Sequence, residues 1–339
     1  MPWSATATGD WPIGSACPAR SSTTRRSQGP ARRSVPTDVA HGVARPGRRA
    51  ATWSVLAAAT LWGTIGTAQE LGAPTAAPAT VAAVRSLGGG VILLLVLVAA
   101  GRWPRIRAAL VGAPWAVVAA VVSITVFQLG YLTGVRAVGV ALGTLVAIGS
   151  APAWAGLFAL LAGRRPGARW VVATVATIAG AAVLLADGGA GAAGQDPGTF
   201  GILAGLVAGA AYGTYTTVSV RLVSAGADGS SAVALTFTGS GLLLLPVLVT
   251  GDLTWVASPT GVVTALWLAI GTTALGYVLF ARGLVALDAP TVTTLTLAEP
   301  LAATVLAVAV VGERLAWAGW IGAALLILGL LVIGARRGP

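Results

Sequence analysis

From about residue 50 onward the sequence is a succession of apolar runs, each long enough to cross a lipid bilayer. A transmembrane helix needs about 20 mostly apolar residues, because each residue advances it by only 1.5 Å through a hydrocarbon core about 30 Å thick. Backbone polar groups in hydrocarbon must be paired within the chain, which favours helices in such runs. The pattern predicts an all-α integral membrane protein with ten spans, at residues 51–69, 76–100, 110–133, 138–161, 168–186, 199–221, 231–250, 260–282, 288–311 and 316–335.

The composition excludes an ordinary soluble protein. Of the 339 residues, 56% are hydrophobic and only 9% are charged, whereas soluble chains carry about 25% charged residues. The net charge of +11 does not indicate nucleic-acid binding, because the arginines lie in the N-terminal segment and in short gaps between apolar runs. Nucleic-acid binding would require a basic face with interleaved aromatic residues. The predicted surroundings are therefore the lipid bilayer.

Several kinds of chemistry lack the residues they need. The chain has one cysteine, Cys17, and one histidine, His41, both before the first span, so we predict no metal site and no cofactor. It has no lysine, which excludes a nucleotide-binding phosphate loop and ATP-driven transport by this chain alone. An integral membrane enzyme is disfavoured because its spans would need histidine, cysteine or paired acidic residues.

The placement of arginines predicts the orientation. Gaps on the cytoplasmic side of membrane proteins are enriched in basic residues. With the N-terminus in the cytoplasm, the external gaps contain Arg136 and Arg314 alone. The cytoplasmic gaps and C-terminal tail then contain Arg102, Arg105, Arg107, Arg164, Arg165, Arg169, Arg221, Arg282, Arg336 and Arg337. We therefore predict a multi-pass protein of the bacterial inner (plasma) membrane with both termini in the cytoplasm.

The two halves of the chain resemble each other in three short stretches that occur in the same order. Residues 56–68, 129–138 and 151–165 align with residues 206–218, 275–284 and 299–315. Because each half has five spans, the second copy must enter the membrane from the opposite side, which makes an inverted repeat. The predicted parts are a disordered N-terminal segment, a first repeat, a linker, a second repeat and a tail, at residues 1–49, 50–187, 188–198, 199–335 and 336–339.

Glu299 and Pro300 form an unusual pair inside the ninth apolar run. An ionised carboxylate at bilayer depth costs about 2.5–3.5 kcal/mol unless it is paired or faces water. Pro300 has no backbone N–H and predicts a helix break, which the membrane permits where the free backbone groups line a cavity. Glu299 is thus a candidate substrate-binding residue. It could bind a cationic group of the solute, carry a coupling proton, or only stabilise the break.

Arg85 is the basic residue that lies deepest in a span. It could bind a carboxylate of the solute, pair with Glu299, or serve helix packing alone. Trp62 and Tyr212 occupy equivalent positions in the two halves and could form aromatic walls for a ligand, including cation–π contacts; packing between helices is the alternative. Other polar side chains at similar depth complete the predicted substrate site: Gln128, Tyr131 and Tyr277.

Three stretches carry a resemblance to a known family: LWGTIG in the first span, VRSL in the second, and the block from LAEPLAATVLAV to GAALLILG at residues 297–329. They resemble the EamA-type transporters of the drug/metabolite transporter superfamily, over residues 51–335. The resemblance implies ten helices in two inverted five-helix EamA-like repeats, and movement of small metabolites without ATP, export being favoured over uptake.

The first hypothesis is therefore a secondary transporter that works by alternating access, with protons as the candidate coupling ion and a small-molecule solute as partner. A non-transporting membrane scaffold or sensor and an integral membrane enzyme are the alternatives. The sequence leaves the substrate, the coupling ion, the direction of transport and the oligomeric state open.

Overall fold

The computed structural model describes residues 47–138, 143–188, 199–224, 227–311 and 316–334, and these residues are predominantly helical. The predictions for residues 1–46, for the linker from residue 189 to 198 and for the tail lie outside the described residues. The α-helices are α1 (Arg48–Gly72), α2 (Pro78–Ala99), α3 (Trp103–Gly112), α4 (Pro114–Val138), α5 (Ser150–Leu161), α6 (Ala168–Gly188), α7 (Thr199–Ser224), α8 (Gly229–Leu243), α9 (Leu245–Thr250), α10 (Pro259–Leu266), α11 (Gly276–Leu284), α12 (Ala289–Leu295), α13 (Ala298–Leu306) and α14 (Trp317–Gly334).

Proline marks the start of several helices. Pro78, Pro114, Pro259 and Pro290 lie in the first turn of α2, α4, α10 and α12. A missing N–H costs nothing at that position because the first turn has no intrahelical acceptor for it.

Pro114 also corrects one predicted boundary. The run placed at residues 110–133 begins at Pro114, and residues 110–112 belong instead to the short helix α3.

Five helices within the described ranges are both long and apolar enough to cross a bilayer: Pro78–Ala99, Pro114–Gly134, Pro259–Leu284, Ala289–Val310 and Trp317–Gly334. Two shorter apolar helices occupy Leu145–Leu161 and Ala168–Leu184. Helices α1 and α7 are 25 and 26 residues long but less apolar, because threonine, glycine and aromatic residues recur in them. The chain is therefore a multi-pass helical membrane protein, and the count of ten spans stays a prediction.

Within the described ranges, three spans contain a stretch of π-helix, at Leu145–Gly149, Trp267–Leu275 and Ala307–Val311. A π-turn shifts the backbone hydrogen bonds by one residue and leaves carbonyl groups free to accept other donors. The predicted seventh span is also divided. Helix α8 ends at Leu243 and α9 begins at Leu245, with Pro246 in its first turn.

Helices from the two halves pack in matched pairs. Helix α2 packs on α8 and α6 on α14, while α4 packs on α7 just as α1 packs on α11. Likewise α5 packs on α7 and α1 on α13. If each span of one half is exchanged with the equivalent span of the other half, this set of contacts stays the same. The α2–α8 and α6–α14 contacts map onto themselves, α4–α7 maps onto α1–α11, and α5–α7 maps onto α1–α13. The core of the molecule is thus assembled between the halves rather than within each.

Glycines allow these pairs to approach closely. A Cβ atom on Gly90 of α2 would lie 2.5 Å from the carbonyl carbon of Phe237 and closer still to the amide nitrogen of Thr238. The partner helix repeats the arrangement, since a Cβ on Gly241 would lie 2.5 Å from the Cα of Leu87. Contact distances this short involve backbone atoms, which cannot turn aside as a side chain can. Small residues at such contacts are typical of helices that associate in lipid.

Threonine hydroxyls inside the spans are mostly paired with the backbone of their own helix. Thr177, Thr214 and Thr216 each donate to the carbonyl four residues earlier, at 2.6–2.9 Å. This local bond satisfies the hydroxyl without a partner on another helix. The spans can therefore be rich in threonine without the cost of unpaired polar groups in hydrocarbon.

We expect Gly90→Ala to lower the free energy of unfolding by about 1–3 kcal/mol, the usual cost of overpacking. Alanine is favoured over glycine inside a helix by about 1 kcal/mol, so this loss would reverse the ordinary sign. The control is Gly66→Ala in α1, where a Cβ meets no atom within 4 Å and stability should stay level or rise. Unfolding in detergent measures both. Equal stability of the two variants would contradict the close contact between α2 and α8.

Candidate functional site

A cavity of about 450 Å³ lies between the two halves of the chain. The first half contributes residues of α1, α2, α4 and the segment before α5, and the second half contributes residues of α7, α11, α13 and the turn before α13. The lining contains all seven predicted substrate-binding residues together with Pro300: Trp62, Arg85, Gln128, Tyr131, Tyr212, Tyr277 and Glu299.

The cavity opens at the C-terminal end of α1. Gly66, Glu70 and Pro74 line it there and are exposed, and Gln69 beside them is half-buried. The opposite end is closed by aromatic rings. Phe237 is fully buried against Tyr277, with ring centroids 4.2 Å apart, and other buried rings continue this layer. The site is therefore a pit with one described opening and a floor of packed aromatic side chains.

The ninth apolar run is broken at Thr296 and Leu297, directly before Glu299. Helix α12 ends at Leu295 and α13 begins at Ala298, which places Glu299 and Pro300 in the first turn of the new helix. Pro300 starts a helix there rather than interrupting one, because first-turn amides need no intrahelical acceptor. The Glu299 amide donates to the Thr296 carbonyl at 2.9 Å. The break turns the Glu299 side chain into the cavity wall.

Arg85 and Glu299 share the cavity without a direct ion pair. Both line it, Arg85 from α2 and Glu299 from α13. Among the described residues the ion pair within 4 Å joins Arg102 to Asp228, at 3.5 Å. Pairing of Arg85 with Glu299, one of the alternatives for Arg85, is therefore not formed as a close ion pair in this structure. The two residues thus line one cavity without a close ion pair between them.

Trp62 is held by a hydrogen bond that depends on the π-helix at Trp267–Leu275. The Gly276 amide donates to the Gly271 carbonyl, five residues back, so the Thr272 carbonyl loses its usual helical donor. The indole N–H of Trp62 donates to that carbonyl at 2.8 Å. The Trp62 ring also lies 4.6 Å from Tyr277 and 5.6 Å from Phe280, measured between ring centroids. The ring is therefore fixed in one orientation.

Aromatic residues from both halves form much of the cavity wall. Phe127 lies 5.0 Å from Tyr212 and 5.9 Å from Tyr131 between ring centroids. The hydroxyl of Tyr131 is hydrogen-bonded to Thr144 at 3.1 Å. Faces of such rings attract cations as well as apolar groups. The wall could therefore hold an ammonium group or an apolar portion of a solute.

Gln128 belongs to a buried network that joins α2, α4 and α8. Ser86 donates to its side-chain carbonyl at 3.0 Å, and its amide donates to Ser240 at 3.2 Å. Thr125, on the same helix as Gln128, donates to Ser240 at 2.9 Å. Two hydroxyl groups, one on α2 and one on α8, therefore position the Gln128 amide on the cavity wall, and Thr125 holds one of them in turn.

Some lining residues were missed from the sequence. Phe127, Thr144 and Gly66 had no distinguishing pattern, because isolated aromatic, threonine and glycine residues recur in every span. Gln69 and Glu70 carried a usable signal. They follow Trp62 by seven and eight residues and so fall on the same helical face, beside a predicted wall residue.

Comparisons with known proteins agree with this geometry. The profile of the EamA-like transporter family matches the chain twice, at residues 49–186 and 199–335. The chain belongs to the EamA-like transporter family. It is 37% identical over 284 residues to the Uncharacterized transporter YwfM of Bacillus subtilis (strain 168), an alignment that covers 83% of this chain and 92% of that one.

A solved crystal structure has the same fold as this EamA-like transporter. The TM-score is 0.73 at 23% sequence identity, and the match covers 84% of this chain and 96% of the other. The family profile and the 37% identical relative confirm the resemblance to EamA-type transporters predicted from the sequence. The protein is a multi-pass membrane transporter, and its family and relative point to transport rather than to an enzyme.

We expect Gln128→Leu to lower the free energy of unfolding of this EamA-like transporter by about 1–3 kcal/mol, because the Ser86 and Ser240 hydroxyls would lose a buried partner. Thr133→Val is the matched control on the same helix. The Thr133 hydroxyl is exposed and donates only to the carbonyl of Leu129, so its loss should change stability little. Chemical unfolding in detergent compares them. Similar losses in both variants would show that the network adds no stability.

Proposed function

We propose that the protein is a secondary transporter of small metabolites. Two charged side chains, Arg85 and Glu299, bind the solute. The observation that carries the proposal is their common cavity, which both residues line without a close ion pair between them. A lone charge in hydrocarbon costs several kcal/mol, and water or an oppositely charged group lowers that cost. A bound solute with complementary charges would do so during its passage.

The arrangement favours a solute that carries both an ammonium and an anionic group. Arg85 offers a guanidinium to a carboxylate or similar anion, and Glu299 offers a carboxylate to a cation. The aromatic faces of Trp62, Tyr212 and Tyr277 support the cationic end. The cavity volume of about 450 Å³ is within the range of small-molecule sites. A solute with one charge would leave the other side chain uncompensated.

The helix pairing supports the predicted inverted repeat at residues 50–187 and 199–335. Contacts run α2 to α8, α6 to α14, α4 to α7 and α1 to α11, which is the pattern that a twofold exchange of the halves requires. Contacts at two glycines indicate the relative direction of α2 and α8. Gly90 faces Phe237 whereas Gly241 faces Leu87, so α2 and α8 are antiparallel, as spans that start on opposite sides would be.

The arginine distribution supports an N-terminus in the cytoplasm of a bacterial cell. The C-terminal end of α1 would then lie outside the cell. The cavity opening at Gly66, Glu70 and Pro74 then faces outward. Closure of this opening, with parting of the aromatic layer below it, would give alternating access. The solute would leave the cell in exchange for protons, with Glu299 alternating between binding the ammonium group and binding a proton.

We expect Glu299→Gln to abolish solute-driven proton movement while the protein still folds, because a neutral amide can neither hold a proton in exchange nor bind an ammonium group by charge. The assay uses proteoliposomes with an internal pH dye. Solutes that are zwitterionic, cationic or anionic are added one class at a time.

Glu70→Gln is the control for that experiment. It removes a carboxylate from the exposed opening of the same cavity, where water already solvates the charge, so coupling should persist. If Glu299→Gln moves protons as the unchanged protein does, Glu299 has a structural role only. If no solute of any class moves protons in the unchanged protein, the coupling proposal is wrong.

Topology can be tested independently of any solute. We expect a reporter fused after Arg337 to be cytoplasmic and one inserted within residues 188–198 to be external, because five spans separate the two positions. Paired reporters that are active on opposite sides of the membrane provide the measurement. Two reporters on the same side would remove the inverted repeat, whatever the outcome with Glu299.

A further inference from the structure

One face of α1 runs from the opening of the cavity to its charged interior. Trp62, Gly63, Gly66, Gln69 and Glu70 all line the cavity, and their spacing of three and four residues places them on one side of the helix. Trp62 is buried at the inner end of this face, whereas Glu70 is exposed at the outer end. Gly66 lies between them, one turn from Trp62.

The two glycines on this face have different surroundings. A Cβ on Gly63 would lie 2.7 Å from the Cβ of Ala302 and 3.0 Å from the backbone carbonyl oxygen of Glu299. Gly63 is therefore required for contact between α1 and α13. A Cβ on Gly66 would meet no atom within 4 Å, so helix packing does not explain glycine at this position. The space beside Gly66 is part of the cavity.

We propose that Gly66 determines the size of solute that can pass from the opening to Arg85 and Glu299. Its missing side chain leaves the passage beside α1 wide, and any larger residue would project into it rather than into a neighbouring helix. The inference rests on the proposed function only in taking this cavity as the solute path. It adds a residue that selects solutes by bulk, whereas the two charges select them by charge.

A pure change of bulk at Gly66 should discriminate between molecules of different size. Specificity against a larger molecule arises from a steric clash that the smaller one avoids. Because a Cβ at Gly66 meets no atom within 4 Å, we expect Gly66→Leu to leave the positions of Arg85, Glu299 and Trp62 unchanged. A substitution at Gly63 would instead displace α13, and with it Glu299, for molecules of every size.

The test measures access to a thiol placed on the cavity wall. Cys17 is the sole cysteine of the chain, so Cys17→Ser gives a thiol-free background. In that background, Ala82→Cys places a thiol on the cavity wall, one turn of α2 before Arg85. Membrane vesicles are treated with aminoethyl methanethiosulfonate or with its bulkier biotin-conjugated form, and mass spectrometry follows the rate of modification.

With Gly66 in place, both reagents should modify the Ala82→Cys thiol. Adding Gly66→Leu should slow the bulky reagent by about tenfold or more, the change that 1.4 kcal/mol of steric cost produces, and should slow the small reagent far less. Gly66→Ala should fall between. Gly112→Leu is the control, since a Cβ there also meets no atom within 4 Å but the residue lies outside the cavity lining.

Each other result has a distinct meaning. Unchanged rates in Gly66→Leu, or equal slowing of both reagents, would overturn the role of Gly66 as a size filter. Failure of both reagents to reach the Ala82→Cys thiol with Gly66 in place would instead refute the cavity as an open path, and the proposed function with it. A thermal unfolding curve for Gly66→Leu that matches the parent would show that slower modification is not a folding defect.

Discussion

Hydrocarbon solvates no charge and donates no hydrogen bond, so each polar group at membrane depth must find its partner inside the protein or reach water. The arrangement of Arg85 and Glu299 follows from this constraint. Neither could face lipid, and neither is matched by a close ion pair within the described residues. Both therefore lie on the wall of a cavity that opens at the end of α1. The helix break before Glu299 places its carboxylate on that wall.

The same constraint explains how the cavity walls are built. A π-turn frees the Thr272 carbonyl, and the indole of Trp62 supplies the missing donor. The side-chain amide of Gln128 is satisfied by Ser86 and Ser240. The free carbonyl of Thr272 and the buried amide of Gln128, both at the cavity wall, are thus paired. This pairing gives the walls a defined shape without requiring that the cavity be filled by protein.

Close helix contacts are the other requirement for such a cavity. Lipid provides little hydrophobic drive for helices to associate, so they associate through tight packing at small residues. Gly90 and Gly241 bring α2 and α8 together, and Gly63 brings α1 against α13. Gly66 differs from these three because a Cβ there would meet no atom within 4 Å. Glycine thus allows close helix contact at some positions and borders open space at another. Which of the two occurs depends on the neighbouring helices.

Much of the fold could be predicted from the sequence because the membrane signal is local. Run length and apolar composition mark helices, and proline marks where α2, α4, α10 and α12 begin. The charged and aromatic residues of the site were also recognisable, since Arg85 and Glu299 are conspicuous in apolar runs. The short helix α3 was missed, because an amphipathic segment of 10 residues at a membrane edge resembles a loop with a few apolar residues.

The sequence by itself determined that this chain is a helical membrane protein, where its helices lie approximately, and that two opposite charges sit at membrane depth. Only the tertiary structure decided that these charges share one cavity, that they do not touch, and that Gly66 borders open space while Gly63 does not. The physical reason is that hydropathy is a property of each segment, whereas a cavity exists only between segments. Its shape depends on how closely distant helices approach, which no single segment records.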